Sequence, residues 1–144
     1  MIRRIPHAAD VALLIARLAV GVVFVAHGWQ KLVVFGHAGT VKAFDGMGVP
    51  LPSAAAFYST WAELLGGVAL ILGVVTSAAG LLLFIDMLGA FVIVHVDHGV
   101  FASDGGFELV LTLGAISLGL ALSGAGRFSV DNIALRRVTQ RPAG

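Results

Sequence analysis

Four uninterrupted apolar stretches, each close to the length a helix needs to cross a bilayer, constrain this chain more than any other feature. A hydrocarbon core of about 30 Å takes about 20 residues at about 1.5 Å each. The stretches run from about Val11 to Phe35, Ser53 to Val75, Ser77 to Val96 and Phe107 to Ser123. The last is the shortest, with Gly105-Gly106 breaking the chain before it and Gly124-Ala125-Gly126 after it. Lipid offers the backbone no hydrogen-bond partners, so each segment must satisfy its own groups, which leaves helix. A membrane barrel would instead need alternating segments of about ten residues. The expected fold is all-α: one domain over residues 1–144, a four-helix transmembrane bundle, antiparallel up-down, with a tail over 124–144.

Composition agrees. The chain is 58% hydrophobic and 12% charged, where soluble domains run about 45–50% and about 25%. So few charges could not cover a water-facing surface. A net charge of +1 argues neither for nor against nucleic acid, but the lack of a basic face with interleaved aromatics excludes it as a partner. The absence of cysteine excludes a disulfide, a Cys-ligated metal site and a thiol relay within the chain. The first apolar stretch outruns the core of a cleavable signal and contains Arg17, so it is expected to be retained as a helix.

The connections differ in kind. Between the first two helices lies a longer loop, His37 to Pro52, in which Thr40–Met47 suits a short interfacial helix ended by Gly48-Val49-Pro50. Only Val75-Thr76-Ser77 joins the second helix to the third, making those two antiparallel neighbours. After the fourth, Ser129 or Asp131 is a capping-type start for a short helix through Ile133–Arg137, suited to an anionic leaflet. Arg3 and Arg4 precede the bundle, and Arg127, Arg136, Arg137 and Arg141 follow it; the opposite loops hold only Lys42, with Lys31 near a helix end. The positive-inside rule then predicts both termini in the cytoplasm of a prokaryotic cell, with the bundle in its plasma membrane.

The residues that carry information about function are the ionisable ones inside the spans: Arg17, His27, Lys31, Glu63, Asp86, His95 and Glu108. Each costs about 2.5 kcal/mol or more at the bilayer centre unless partnered. On the first helix Arg17, Gly21, Phe24, Gly28 and Lys31 share one stripe. Glu63 shares a face with Gly66, Gly67 and Leu70 on the second, and Glu108 with Thr112, Ala115 and Gly119 on the fourth. Stripes of small residues permit close helix approach, so all three are expected to point inward. Asp86 and His95 lie nine residues apart on the third helix, on opposite sides if it is straight, so one of them is expected to face elsewhere. Depth predicts Arg17 paired with Asp86 or Glu63, and Lys31 with Glu108. Such pairs would either fix helix register or line a polar cavity formed by His27, Lys31, Glu63, His95 and Glu108. His27, His95, His98 and Glu108 are chemically able to hold a metal, but no ligand spacing supports one and Lys31 would repel a cation. Trp29 reads as an interfacial residue. Trp61 reads as packing, with stacking on a planar ring as the alternative.

Several of these motifs carry a family resemblance. Ala16-Arg17-Leu18-Ala19-Val20-Gly21 followed by His27-Gly28-Trp29-Gln30-Lys31-Leu32 resembles the first-helix signature of DoxX-like membrane proteins. Glu63-Leu64-Leu65-Gly66-Gly67 with Gly73, the loop end Gly48-Val49-Pro50, Gly105-Gly106-Phe107-Glu108 and Gly124–Asp131 are similar to later motifs of that family. The resemblance implies a four-helix membrane protein associated with redox complexes. Relatives are linked to a thiosulfate:quinone oxidoreductase and to a complex with a sulfurtransferase and a superoxide dismutase. It also implies that the family's recurrent polar positions fall on Arg17, His27, Lys31, Glu63 and Glu108. Without cysteine, any electrons would be carried by a bound quinone or by a soluble or membrane redox partner.

Three functions follow as expectations. The first is an accessory, non-catalytic subunit of a redox complex whose cavity binds a quinone or similar small ligand. The second is a scaffold that recruits soluble partners, its salt bridges purely structural. The third is a homo-oligomer conducting protons or small ions, for which four helices without an inverted repeat are few.

Overall fold

The computed structural model describes residues 7–139. Arg3, Arg4 and Arg141, which entered the orientation argument, lie outside them. Helix α1 spans Ala8–Trp29 and continues into a wider π-helical turn at Gln30–Val34. Helix α2 is Gly36–Gly46 and α3 is Pro52–Leu72. Helix α4, Thr76–Ala90, extends through a π-helical turn, Phe91–His95, and a 3₁₀ turn, Val96–His98; α5 is Glu108–Ser123 and α6 Val130–Thr139. No strand occurs among the described residues.

Three segments are long and apolar enough to cross a membrane: Ala8–Val34, Pro52–Leu72 and Thr76–His98. The apolar α5 has 16 residues, about 24 Å of helix. The short helix expected at Thr40–Met47 forms and begins earlier, at Gly36, whose left-handed φ of 66° turns the chain out of the first span.

Glycines set the packing. A Cβ on Gly28 would lie 2.6 Å from the Leu64 backbone nitrogen, and one on Gly67 would lie 2.8 Å from the Gly21 carbonyl oxygen. Helices α1 and α3 therefore touch backbone to backbone and run antiparallel. Gly80 does the same for α4 and α5, where a Cβ would meet the Ser117 carbonyl oxygen at 2.6 Å. Leu83 fills the space over Gly66 and joins the two pairs. Between them lies a core of Val20, Phe24, Leu70, Leu83, Met87, Leu113 and Leu120.

The inward face of α5 is not the one its small residues suggest. Val110, Leu113, Gly114, Ser117 and Leu120 are buried, while Glu108, Thr112, Ala115 and Gly119 are exposed. This helix is apolar around its whole circumference, so spacing alone could not choose its face.

At the end of the bundle where α1 begins and α5 ends, the segment after α5 acts as a clasp. Arg17, wholly buried, donates from Nη2 to the Phe128 carbonyl, and its guanidinium packs against Gly73. The expected pairing of Arg17 with Asp86 or Glu63 is therefore overturned. Arg17 lies level with the start of α4, about ten residues or roughly 15 Å of helix from Asp86. Ser129 Oγ caps α6 by accepting from the Asn132 amide at 3.2 Å. Asp131 instead caps α4, its carboxylate accepting from the Val75 and Thr76 amides at 2.8 and 3.1 Å. Val75 has φ 43°, unfavourable for a β-branched residue, and Asp131 holds it there. Asp131→Ala is expected to cost about 1–2 kcal/mol and to release α6. Thermal unfolding and limited proteolysis near residue 130 in detergent would check this, and an unchanged cleavage pattern would refute it.

Candidate ligand cavity within the bundle

The contact of Gly28 with Leu64 decides the site. Lys31 follows Gly28 by three residues and Glu63 precedes Leu64 by one, so closing the two backbones brings ammonium and carboxylate together. Lys31 Nζ forms an ion pair and hydrogen bond with Glu63 Oε2, and the Glu63 residue is 3% exposed. The expected pairing of Lys31 with Glu108 does not occur. The Glu108 carboxylate folds back to accept from the Ala102 amide at 2.8 Å and holds the loop between α4 and α5. It is exposed and takes no part in the cavity wall.

Asp86 joins the pair from α4. Ser59, one turn before Glu63 on α3, donates from Oγ to Asp86 Oδ2 at 3.2 Å, and Asp86 is an electrostatic neighbour of both Glu63 and Lys31. Two carboxylates therefore meet one ammonium. With both ionised, the cluster carries one excess negative charge.

These groups border a cavity of about 500 Å³. It runs from Phe24 and Leu113 in the bundle centre toward the loop end. There Phe44, Met47 and Val49 of α2 and its following turn form one wall, and Ala102 and Gly106 another. Most of the lining is apolar; the polar members are His27, Lys31, Tyr58, Ser59, Glu63, Asp86 and His95. Volumes of about 300–1,000 Å³ with few convergent polar groups are typical of small-molecule sites.

His95 and Asp86 both line it, against the expectation that nine residues place them on opposite sides. The π-helical turn at Phe91–His95 is the reason. Its i→i+5 hydrogen bonds put more residues in each turn, so His95 lags behind its position on a straight α-helix. His95 Nδ1 bonds the Gly105 carbonyl at 2.6 Å and His27 Nδ1 bonds the Val23 carbonyl at 2.9 Å.

Of the residues singled out from sequence, His27, Lys31, Glu63 and His95 come together, and Asp86 joins them as a cavity residue. Glu108 and Arg17 do not. Ser59, Tyr58 and the α2 wall were missed. Ser59 had a legible signal, lying four residues before Glu63 on the same helix face. Tyr58, whose Oη donates to the Leu82 carbonyl at 2.8 Å, had none.

Residues 12–96 match the family described as DoxX. "Putative oxidoreductase CatD" of Bacillus subtilis (strain 168) is 31% identical over 122 residues, covering 85% of this chain and 86% of that protein. "Inner membrane protein YphA" of Escherichia coli (strain K12) is 30% identical over 129 residues, covering 86% and 91%. "Inner membrane protein YqjF" of the same organism is 31% identical over 128 residues, covering 86% and 92%. No solved structure matches.

Proposed function

The chain belongs to the DoxX family, and from that premise we propose that it is an accessory membrane subunit of a redox complex whose cavity binds a quinone or similar small ligand. One observation carries this reading: the Lys31–Glu63 pair and Asp86 stand at the wall of an open, largely apolar space. Salt bridges serving only to fix helix register are closed in by packed side chains, and here about 500 Å³ is left beside them. A planar ring with a short apolar tail matches that volume and lining, and Phe24, Phe44 and Tyr58 supply aromatic walls. Lys31 and His27 are placed to hold the polar head, with Glu63 and Asp86 to exchange hydrogen bonds or a proton with it. The name of CatD supports the redox association.

The family relatives named as inner membrane proteins support a bacterial inner-membrane location, multi-pass. Exposed Arg127 and Arg137 beside the clasp support a cytoplasmic face for the end of the bundle where α1 begins and α5 ends. The cavity then opens toward the opposite face.

Binding tests the reading. A short-chain benzoquinone titrated into purified protein in nanodiscs is expected to bind saturably. Lys31→Ala is expected to weaken it about tenfold, the loss of one charge-assisted hydrogen bond. Saturable binding unaffected by this change, in folded protein, would remove this site from consideration.

A further inference from the structure

The hydrogen-bonding inventory of the cavity is one-sided. His27 and His95 each commit Nδ1 to a backbone carbonyl, so that nitrogen carries the proton. In the neutral ring the remaining Nε2 is an acceptor. Ser59 spends its hydroxyl proton on Asp86, and Tyr58 spends its own on the Leu82 carbonyl. Lys31, the one Lys or Arg lining the cavity, is drawn onto Glu63. Glu63 and Asp86 also hydrogen-bond each other, with one proton between them. The acceptor capacity left over comprises two imidazole nitrogens and the remaining lone pairs of the two carboxyl groups. It exceeds the ammonium protons that Lys31 retains.

Acceptors that face a largely apolar cavity are best satisfied by a ligand that supplies donors. We infer that the cavity selects a ligand whose head donates hydrogen bonds: for a ring ligand, the aromatic diol over the corresponding dione. This rests on the reading of the cavity as a ligand site and names the chemical form that the site takes. The diol's two hydroxyls meet the surplus acceptors. The dione's carbonyls meet the same acceptors with no proton between them and compete with Glu63 for Lys31.

The experiment compares the two forms of one molecule. A short-chain benzoquinol and its benzoquinone are equilibrated separately with native protein in nanodiscs, without oxygen, and bound ligand is quantified by absorbance after dialysis. The quinol is expected to bind about tenfold tighter, the value of about one hydrogen bond to a charged acceptor. Asp86→Asn replaces an acceptor oxygen with a donor and is expected to bring that ratio close to one. Ser59→Ala frees Asp86 Oδ2 and is expected to widen it. Should Asp86→Asn fail to fold, His95→Phe removes an acceptor at the mouth and is expected to narrow the ratio. Equal affinities, tighter dione binding, or a ratio indifferent to these changes would overturn the inference while leaving the ligand site standing. Binding of neither form would overturn both.

Discussion

Gly28→Leu is expected to leave almost no folded protein, whereas Gly119→Leu is expected to be tolerated. Both glycines sit inside helices without a positive φ, so backbone conformation does not separate them. Their surroundings do. A Cβ on Gly28 would stand 2.6 Å from the Leu64 nitrogen and 2.9 Å from its Cα, and backbone cannot rotate away as a side chain can. Nothing lies within 4 Å of a Cβ on Gly119. Forcing a branched side chain between α1 and α3 separates the helices along their main contact, a cost of about 3 kcal/mol or more. The same separation would pull Lys31 from Glu63. Monodisperse yield in mild detergent, together with thermal unfolding, measures the difference. Comparable yields for the two variants would show that α1 and α3 do not depend on this contact.

The second large effect concerns the ion pair itself. Lys31→Met leaves Glu63 and Asp86 facing each other with no cation between them, and is expected to destabilise the bundle by about 3–5 kcal/mol. Glu63→Gln in the native background removes one of the two carboxylates and keeps Lys31 beside Asp86, so its cost is expected to be smaller. The double variant Lys31→Met with Glu63→Gln is expected to recover part of the stability that Lys31→Met loses. Asp86 then remains as one carboxylate without a cation, where Lys31→Met alone leaves two facing each other. A double-mutant cycle on unfolding free energies in detergent or lipid reads this coupling. Additive costs would mean that the two groups act independently, and the pairing would then have no energetic role.

The fate of each ionisable residue follows from how its position was coded. Glu63 and Lys31 were placed correctly because each shares a stripe with glycines on its own helix, and glycine stripes mark close contact in a membrane bundle. Their mutual pairing was missed because register between helices is set by which glycine meets which backbone. Arg17 and Glu108 were misassigned for a related reason. Both are answered by irregular backbone, the Phe128 carbonyl and the Ala102 amide, and no side-chain pattern announces such partners. Asp86 was not expected beside His95, because the π-helical turn that brings the two to one side is not advertised by the sequence.

The sequence by itself determined the solvent, the helices and their approximate ends. Those follow from apolar run length and from the need of backbone groups in lipid to find partners within their own segment. It also located the capping start of α6 at Ser129 or Asp131, and the local bond from Asn132 shows that Ser129 takes it. Only the tertiary structure decided that Lys31 meets Glu63, that Asp131 caps a helix some 55 residues away, and that a cavity remains between them. Contacts of that kind depend on the offset and rotation of one whole helix against another. Many weak packing terms fix that offset together, and no single stretch of sequence records it.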